Sequence, residues 1–357
     1  MKLFLAVLMM AVAASGAYLE TDPAKSPGVS APPVPPVRPV PGSMLPALAQ
    51  RVTIGVPQRW SHLTFYPLEL PSRHSTMGIL TLDQALQRDQ LAIREVGDGQ
   101  VSRLAVRNDA ALPVLLMAGE LILGGKQNRM VRDDVLLPRQ SGWTDVTVYC
   151  GEEHRWRETG GFRSGQTLSA PALRQMATGG ATQDRIWSTI GEQLDAARVE
   201  TPTASYQQLF ESPELQRRLD ACVAAVRPLP GPRTVGCIVV RHRRILGGDL
   251  FGDPDLFAAL WPKLCRSYAA EGIAPRPPID LYRKHLPPPE KGMAQRFLVD
   301  IARARFIRRG TAGIGKLWKV HGAVEGSSLE HFGGVVHAGV FPARITIQPM
   351  PRLNSEE

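Results

Sequence analysis

Residues 112–129 read LPVLLMAGELILGGKQNR and residues 146–156 read VTVYCGEEHRW, so two apolar runs each end in a polar cluster. Apolar and β-branched residues in runs of this length are typical of buried strands. The clusters that follow combine charged and amide side chains with glycines, which let the backbone approach a ligand. Functional residues often lie where a rigid strand passes into a loop. The two stretches therefore predict strands that end at a polar site.

The polar clusters contain the residues that we expect to form this site. Cationic and amide side chains hold carboxylate, phosphate or ribose groups through hydrogen bonds. The predicted ligand-binding residues are Lys126, Gln127, Asn128, Arg129, Arg155 and Trp156. The candidate general acids or bases are Glu120 and Glu152. If the two strands are neighbours, these charged and amide side chains converge on one polar cleft. Trp156 could line one side of that cleft.

A structural role is the alternative for both clusters. The first cluster could be a solvated turn in which Arg129 pairs with Glu120, and Trp156 could belong to the core. Buried polar networks of this kind fix a fold without binding anything.

Known catalytic motifs fit these clusters poorly. In a phosphate-binding P-loop, a glycine stands six residues before the lysine and a Ser or Thr follows it. Here Glu120 stands six residues before Lys126 and Gln127 follows it, so ATP hydrolysis is not expected. Cys150 could be a nucleophile with His154 as its base, but residues four apart at a strand end rarely face each other. The sequence therefore favours a buried thiol at Cys150.

A metal site near the C-terminus is also disfavoured. His331 and His337 lie six residues apart and would share one face of a strand, where Glu330 or His321 could complete a metal site. Two glycines between the histidines interrupt that regularity. We therefore assign no metal and no cofactor to this chain.

The first 50 residues predict export followed by a linker. Lys2 precedes an apolar run that ends in small residues at 15–17, the pattern of a signal peptide over residues 1–17. Residues 18–50 contain nine prolines, which favour extended, disordered chain. We expect a periplasmic or secreted protein whose Pro-rich linker can be deleted without unfolding the rest.

Residues 51–349 are predicted to form a single α+β domain, followed by a tail at 350–357. Short strand-like runs dominate the β-rich N-terminal half, where Thr81 is placed to cap a short helix. The C-terminal half mixes helices and strands, and Asp253-Pro254 predicts a helix start. Since strands and helices are segregated rather than alternating, α+β is favoured over a doubly wound sheet. The domain is compatible with two lobes, a β-rich lobe at 51–165 and a helix/strand lobe at 184–349.

Positive charge is concentrated in one segment. The chain carries 42 Lys and Arg against 33 Asp and Glu. Residues 283–319 contain ten basic residues and two acidic ones. That segment could face an anionic ligand, nucleic acid or a membrane surface, or it could be a solvated helix face followed by a hairpin. No nucleic-acid motif accompanies it. No run after the signal is apolar enough to span a bilayer, so we expect no transmembrane helix after signal cleavage.

Four cysteines follow the signal. Export permits disulfides, and Cys150, Cys222, Cys237 and Cys265 allow three pairings among which the sequence does not choose. Buried free thiols are the alternative, and none of the four has zinc-site spacing.

Taken together, the Lys-Gln-Asn-Arg cluster at 126–129 and the Cys-x-Glu-x-x-Arg-Trp cluster at 150–156 resemble a known domain family. It is the ADP-ribosylglycohydrolase- and rhodanese-phosphatase-associated protein domain, a bacterial and archaeal family. The resemblance extends from about residue 76 to about His337. It implies at most a role near ADP-ribose or phosphoester metabolism, or in a conflict system. Export would separate this chain from cytoplasmic nucleotides.

The sequence does not determine the oligomeric state. It leaves three hypotheses for the function. The first is an exported domain that binds an anionic small molecule or partner through the polar clusters. The second is a hydrolase-type enzyme that uses Glu120 or Glu152 as acid/base. The third is a structural polar network without a ligand.

We predict that the mature chain begins near Tyr18, because signal peptidase accepts the small residues at 15–17. Intact-mass analysis of the extracytoplasmic protein should give the mass of a chain without residues 1–17. A mass that retains them, or a purely cytoplasmic location, would contradict export.

Overall fold

The structure is a computed structural model that describes residues 42–73, 78–226, 229–273 and 291–343. The predicted signal peptide, most of the predicted linker, the tail at 350–357 and part of the basic segment lie outside these ranges. Within them, no helix combines the length and apolar character needed to cross a bilayer.

The described residues form eighteen strands. In chain order they are β1 (Thr53–Ile54), β2 (Gln58–Trp60), β3 (Leu63–Glu69), β4 (Leu80–Thr81), β5 (Leu91–Glu95), β6 (Arg103–Asn108), β7 (Val114–Leu116), β8 (Glu120–Leu123), β9 (Arg129–Val131), β10 (Val135–Leu137), β11 (Thr144–Cys150), β12 (Arg163–Leu168), β13 (Thr234–Arg241), β14 (Arg244–Phe251), β15 (Arg305–Arg309), β16 (Lys316–His321), β17 (Val324–His331) and β18 (Gly334–Pro342).

Eight helices are formed within the same ranges. They are α1 (Leu45–Arg51), α2 (Leu82–Gln87), α3 (Pro171–Thr178), α4 (Gln183–Ala197), α5 (Tyr206–Glu211), α6 (Pro213–Ala225), α7 (Pro254–Ile273) and α8 (Lys291–Arg303). Two of them begin as the sequence predicts. Thr81 and Gln84 form a reciprocal capping box at α2, and the Asp253 carboxylate accepts from the Asp255 amide (2.8 Å) at the start of α7.

A nine-stranded antiparallel sheet forms the largest layer. Its strand order is β1-β3-β13-β14-β18-β17-β16-β15. The ninth strand, β2, pairs with residues 63–65 of β3, whereas β1 pairs with residues 68 and 69. One face of the sheet packs on α1 and α8, and α7 lies in the core on the other face. Because both faces are covered, β13 is buried along its whole length, which explains its unbroken apolar sequence.

Two smaller sheets form the part of the fold that carries the polar clusters. The six-stranded sheet has the order β12-β8-β9-β11-β6-β5, and the three-stranded sheet has the order β10-β7-β4. Their apolar side chains, together with those of α2, form a separate core. The predicted α+β class is confirmed, with a strand-rich N-terminal half and a C-terminal half that mixes helices and strands.

The predicted lobe boundaries differ from the strand pairing. β3 pairs with β13 from Leu63 with Arg241 to Glu69 with Thr234, so residues 53–69 belong to the nine-stranded sheet. The β-rich part that carries the polar clusters therefore begins only at β4. Local sequence does not encode which sheet the N-terminal strands join, because that depends on tertiary packing.

The predicted linker is too long at its C-terminal end. Leu45 and Leu48 of α1 are buried against α8 rather than disordered. The Ser43 hydroxyl (2.7 Å) and the Met44 amide (2.8 Å) both donate to the buried Glu330 carboxylate. Pro46, which looks like part of the Pro-rich linker, stands at the start of α1, where proline suits a helix.

The packing of α1 gives a direct test of where the domain begins. A chain that starts at Gly42 should melt like the mature protein. A chain that starts at Val52 should lose about 3 kcal/mol or more of unfolding free energy, because it exposes the surface that Leu45 and Leu48 cover and removes two donors from Glu330. Thermal melts of both chains provide the measurement, and equal melting temperatures would show that α1 contributes nothing.

Candidate ligand-binding site

The pairing of β9 with β11 brings the two polar clusters together. Arg129 lies opposite Cys150 in the register, and the Gly151 amide donates to the Asn128 carbonyl oxygen (2.8 Å). The turn between β8 and β9 supplies the rest of the first cluster. Gly125 in this turn has a φ of 54°, and an added Cβ would lie 2.3 Å from Phe162, so both conformation and space require glycine there.

Glu152 and Arg155 connect this turn to the loop that follows β11. The Glu152 carboxylate is buried and accepts from the Asn128 amide (2.6 Å) and from Nε of Arg155 (2.8 Å). The Arg155 guanidinium also donates to the Gly125 carbonyl oxygen (2.8 Å) and the Thr159 hydroxyl (2.9 Å). Charge-assisted hydrogen bonds of this kind hold the loop and the turn in one geometry.

Arg129 faces the interior rather than a cleft. Its side chain is 0% exposed and lies 3.4 Å from the Glu95 carboxylate. Its Nη1 donates to Gln127 Oε1 (3.3 Å), while its buried Nε has no hydrogen-bond partner in the part of the chain that the structure describes. The half-exposed ring of Trp156 covers this group, with its centroid 5.9 Å from Arg129 Cζ and 5.6 Å from Lys126 Nζ. Lys126, Gln127, Arg129 and Trp156 thus contact one another on one side of β9.

Cys150 is a buried thiol, as the sequence favours. Its sulfur donates to Gln127 Oε1 (2.7 Å). Burial raises the pKa of Cys150 to about 11, and Arg129 offsets this only in part. The thiol is therefore protonated at neutral pH. The His154 side chain is exposed and lies 3.9 Å from the Glu153 carboxylate, whereas the Cys150 thiol is buried.

On the other side of β9, Asn128 and Arg155 reach a cavity of about 360 Å³ between the β8–β9 turn, β12 and α5. The guanidinium of Arg163 is exposed on its wall and has no hydrogen-bond or ion-pair partner in the described part of the chain. The other polar lining residues are Thr159, Ser205, Gln207, Gln208 and Glu211. We call this space the arginine cavity.

Glu120 contacts neither polar cluster. It begins β8, whereas the cluster residues follow the other end of that strand, about 13 Å away at the rise of an extended chain. Its buried carboxylate accepts from Lys263 Nζ (2.6 Å) and from the Met117 amide (2.8 Å). Lys263 Nζ also lies 2.7 Å from Asp83. Burial raises the pKa of Glu120 above its usual range, although the Lys263 ammonium opposes the shift.

Lys263 lines a second cavity, which shares two lining residues with the arginine cavity. Asp83, Lys263 and Arg266 line a space of about 410 Å³, which we call the lysine cavity. Gln207 and Glu211 line both cavities. β12 has a β-bulge between the two cavities, since the strand pairs at Ser164 and again at Leu168 while β8 advances by only two residues. Arg163, before the bulge, lines the arginine cavity, whereas residues 165–168 line the lysine cavity.

Comparison with known proteins identifies the family. The model of the ARG and Rhodanese-Phosphatase-superfamily-associated Protein domain, ARPP-1, matches residues 51–341. The chain belongs to the ARPP-1 family. This confirms the resemblance that the two polar clusters indicated. No curated protein and no solved structure matches the chain.

The ARPP-1 domain also contains a buried charge network that the sequence does not reveal. The Asp249 carboxylate accepts from Arg174 (3.1 Å) and Tyr268 (2.7 Å), and lies 2.9 Å from His337 Nε2. His337 Nδ1 lies 2.7 Å from Asp134. Burial disfavours the charged ring, but the two carboxylates outweigh it and raise the pKa of His337 to about 9.

The network engages His337, one of the two histidines of the metal site that the sequence disfavours. Both ring nitrogens of His337 are engaged with carboxylates, and His331 packs on Phe332 instead. Within the described ranges, no three His, Cys, Asp or Glu side chains are grouped as metal ligands.

Sequence reasoning missed the residues that line the cavities from distant segments. Asp83, Arg163 and Lys263 stand outside the two polar clusters. Only the fold brings Asp83 to Lys263 at one cavity and Arg163 to the other. Lys263 offered one signal, since it lies one turn from Leu260 on the side of α7 that is otherwise apolar. A lysine on a buried helix face needs a carboxylate partner.

The burial of Arg129 predicts a stability effect rather than a binding effect. Arg129→Ala removes the cation that pairs with Glu95 and one of the two donors to Gln127 Oε1, and should lower the unfolding free energy by roughly 3 kcal/mol. Denaturant unfolding measures the change. Arg163→Ala is the matched control, because its exposed guanidinium should change stability by less than about 0.5 kcal/mol. Equal stability of the two variants would contradict the assignment of Arg129 as a structural residue.

Proposed function

We propose that the ARPP-1 domain of this chain is an exported binding domain, and that its arginine cavity holds an anionic small molecule. The observation that carries this proposal is the guanidinium of Arg163, which is exposed on the cavity wall without a partner among the described residues. An unpaired arginine beside amide and hydroxyl groups is suited to a carboxylate or phosphate group.

The balance of charge supports the assignment of the anion to Arg163. The positive charge of Arg155 is already compensated by Glu152, with which it forms a buried ion pair. Arg163 forms no ion pair with any carboxylate in the described ranges, Glu211 of the same cavity included. The anionic group of the ligand is therefore placed beside Arg163, with Asn128 and Ser205 as neighbouring polar groups.

The opposite wall indicates that the ligand also carries hydrogen-bond donors. Among the residues that the structure describes, Gln207 Oε1 is buried without a hydrogen-bond partner. Glu211, which also lines the cavity, accepts from Gln208 Nε2 (2.6 Å). Both are acceptors, and a buried acceptor without a donor is costly. An anion that bears hydroxyl or amino groups could accept from Arg163 on one wall and donate to Gln207 and Glu211 on the other.

The remaining cluster residues receive a supporting role in this proposal. Lys126, Gln127, Arg129 and Trp156 do not line the arginine cavity but pack beneath the β8–β9 turn. Their contacts hold the turn that presents Asn128. Residues that lock a binding residue in place contribute to affinity by preorganisation.

A hydrolase is the second candidate, and one observation favours it. Lys263, which pairs with the buried Glu120 carboxylate and with Asp83, lines the lysine cavity together with Asp83, next to the proposed anion site. Carboxylates whose pKa is raised by burial are suited to proton transfer, and such groups cluster at active sites. Glu120 is the better candidate of the two predicted acids, because the Glu152 carboxylate is held by Arg155 and the Asn128 amide.

Binding can be tested by thermal shift of the purified mature protein with phosphate, sugar phosphates, nucleotides and hydroxylated carboxylates. We expect at least one of these anions to raise the melting temperature. Arg163→Ala should weaken that anion by about tenfold or more in calorimetry, since a charge-assisted contact contributes about 1.5–3 kcal/mol.

Arg157→Ala is the matched control, because Arg157 is exposed nearby but does not line the cavity. It should leave both melting temperature and affinity unchanged. If Arg163→Ala binds the anion as tightly as the wild type, the arginine cavity is not the site. Recovery of the ligand in hydrolysed form, lost in Lys263→Met, would favour the hydrolase.

A further inference from the structure

Two cysteines from neighbouring helices meet in the core. Cys222 on α6 and Cys265 on α7 are both fully buried, and their sulfur atoms are 3.8 Å apart. A disulfide needs about 2.05 Å between sulfurs, so the pair must approach by less than roughly 2 Å. Side-chain rotation and a small shift of two packed helices can supply that movement.

The other two cysteines are engaged elsewhere. The Cys150 thiol contacts Gln127 and Arg129, and the Cys237 sulfur lies 3.6 Å from the Ile238 carbonyl oxygen. The fold therefore brings together one pair, Cys222 and Cys265, and leaves Cys150 and Cys237 as single thiols.

We propose that Cys222 and Cys265 form a disulfide in the exported protein, which joins α6 to α7 beside the lysine cavity. This inference rests on the export that is part of the proposed function, since an oxidising compartment preserves disulfides and the cytoplasm does not.

The bond forms by thiol–disulfide exchange with a small or protein disulfide as oxidant. One cysteine thiolate attacks the oxidant, forms a mixed disulfide and releases one thiol. The second cysteine thiolate then attacks the protein sulfur of that mixed disulfide. Cys222 and Cys265 are oxidised and lose two protons and two electrons in all, and the oxidant is reduced to two thiols.

Burial determines when this exchange occurs. The contact with Cys265 and burial together raise the pKa of Cys222 well above its usual range. Since the thiolate is the attacking species and the oxidant must reach it, exchange is disfavoured once α6 has packed on α7. The disulfide therefore forms while the chain folds, and the finished core then shields it from reductants.

The cross-link would hold two walls of the lysine cavity together. Gln216 of α6 and Lys263 and Arg266 of α7 line that cavity. An ion pair between Asp220 and Arg266 already joins the same helices at the surface. A covalent bond beneath that ion pair keeps α7 in the position from which Lys263 contacts Glu120.

Alkylation of the exported protein, unfolded without reductant, tests the pairing. Mass spectrometry should find alkyl groups on Cys150 and Cys237 only, and a peptide pair linked through Cys222 and Cys265. Reduction before alkylation should label all four cysteines. The oxidised protein should melt roughly 5–10 °C above the reduced protein.

Two variants separate the cross-link from general effects of cysteine removal. Cys222→Ala should abolish the difference in melting temperature between oxidised and reduced protein. Cys237→Ala, which removes an equally buried thiol, should preserve the difference and the linked peptides.

The outcomes distinguish this inference from the proposed function. Four alkylated cysteines in a protein that lacks residues 1–17 would overturn the disulfide and leave export intact. If the protein retains residues 1–17 inside the cell, export is wrong. Refolding of the reduced chain with oxidised glutathione then decides the pairing, and failure to link Cys222 with Cys265 there would overturn it as well.

Discussion

The buried carboxylate of Asp249 connects the layers of this fold. It lies on β14 of the nine-stranded sheet and accepts from Arg174 on α3 and Tyr268 on α7. Through His337 it is linked to Asp134, which precedes β10 of the three-stranded sheet. Buried charges are tolerated only when they are paired, so each of these elements must be in place for the others to be stable. The network therefore fixes how the helices and the smaller sheet meet the large sheet.

The position of both cavities depends on that arrangement. Tyr268 anchors α7 to Asp249, and five residues earlier the same helix carries Lys263 to Glu120 and Asp83. The β12 bulge separates this lysine from the arginine cavity. Irregular strands are common beside functional sites, because they redirect side chains that a regular ladder would pair. A rigid core thus holds two polar cavities side by side.

The polar clusters illustrate how far sequence reasoning reaches. Their position after apolar runs correctly indicated strand ends. The two preceding strands, β8 and β11, are not neighbours, and it is β9 between them that brings the clusters together. Successive residues of an extended chain point to opposite sides, however. Asn128 consequently contacts Ser205 at the cavity, while Arg129 beside it is buried against Glu95. Without the register and the neighbouring elements, the sequence could not separate a binding residue from a structural one.

By itself, the sequence determined the α+β class, the helix starts at Thr81 and Asp253, the family and the stretches that carry polar groups. These depend on local periodicity, capping chemistry and short motifs, all of which are contained in a few neighbouring residues. Only the tertiary structure decided that α1 belongs to the domain, that Glu120 pairs with Lys263, and that Cys222 meets Cys265. Each of these contacts joins residues far apart in the chain, and the packing of whole layers, rather than any local preference, brings them together.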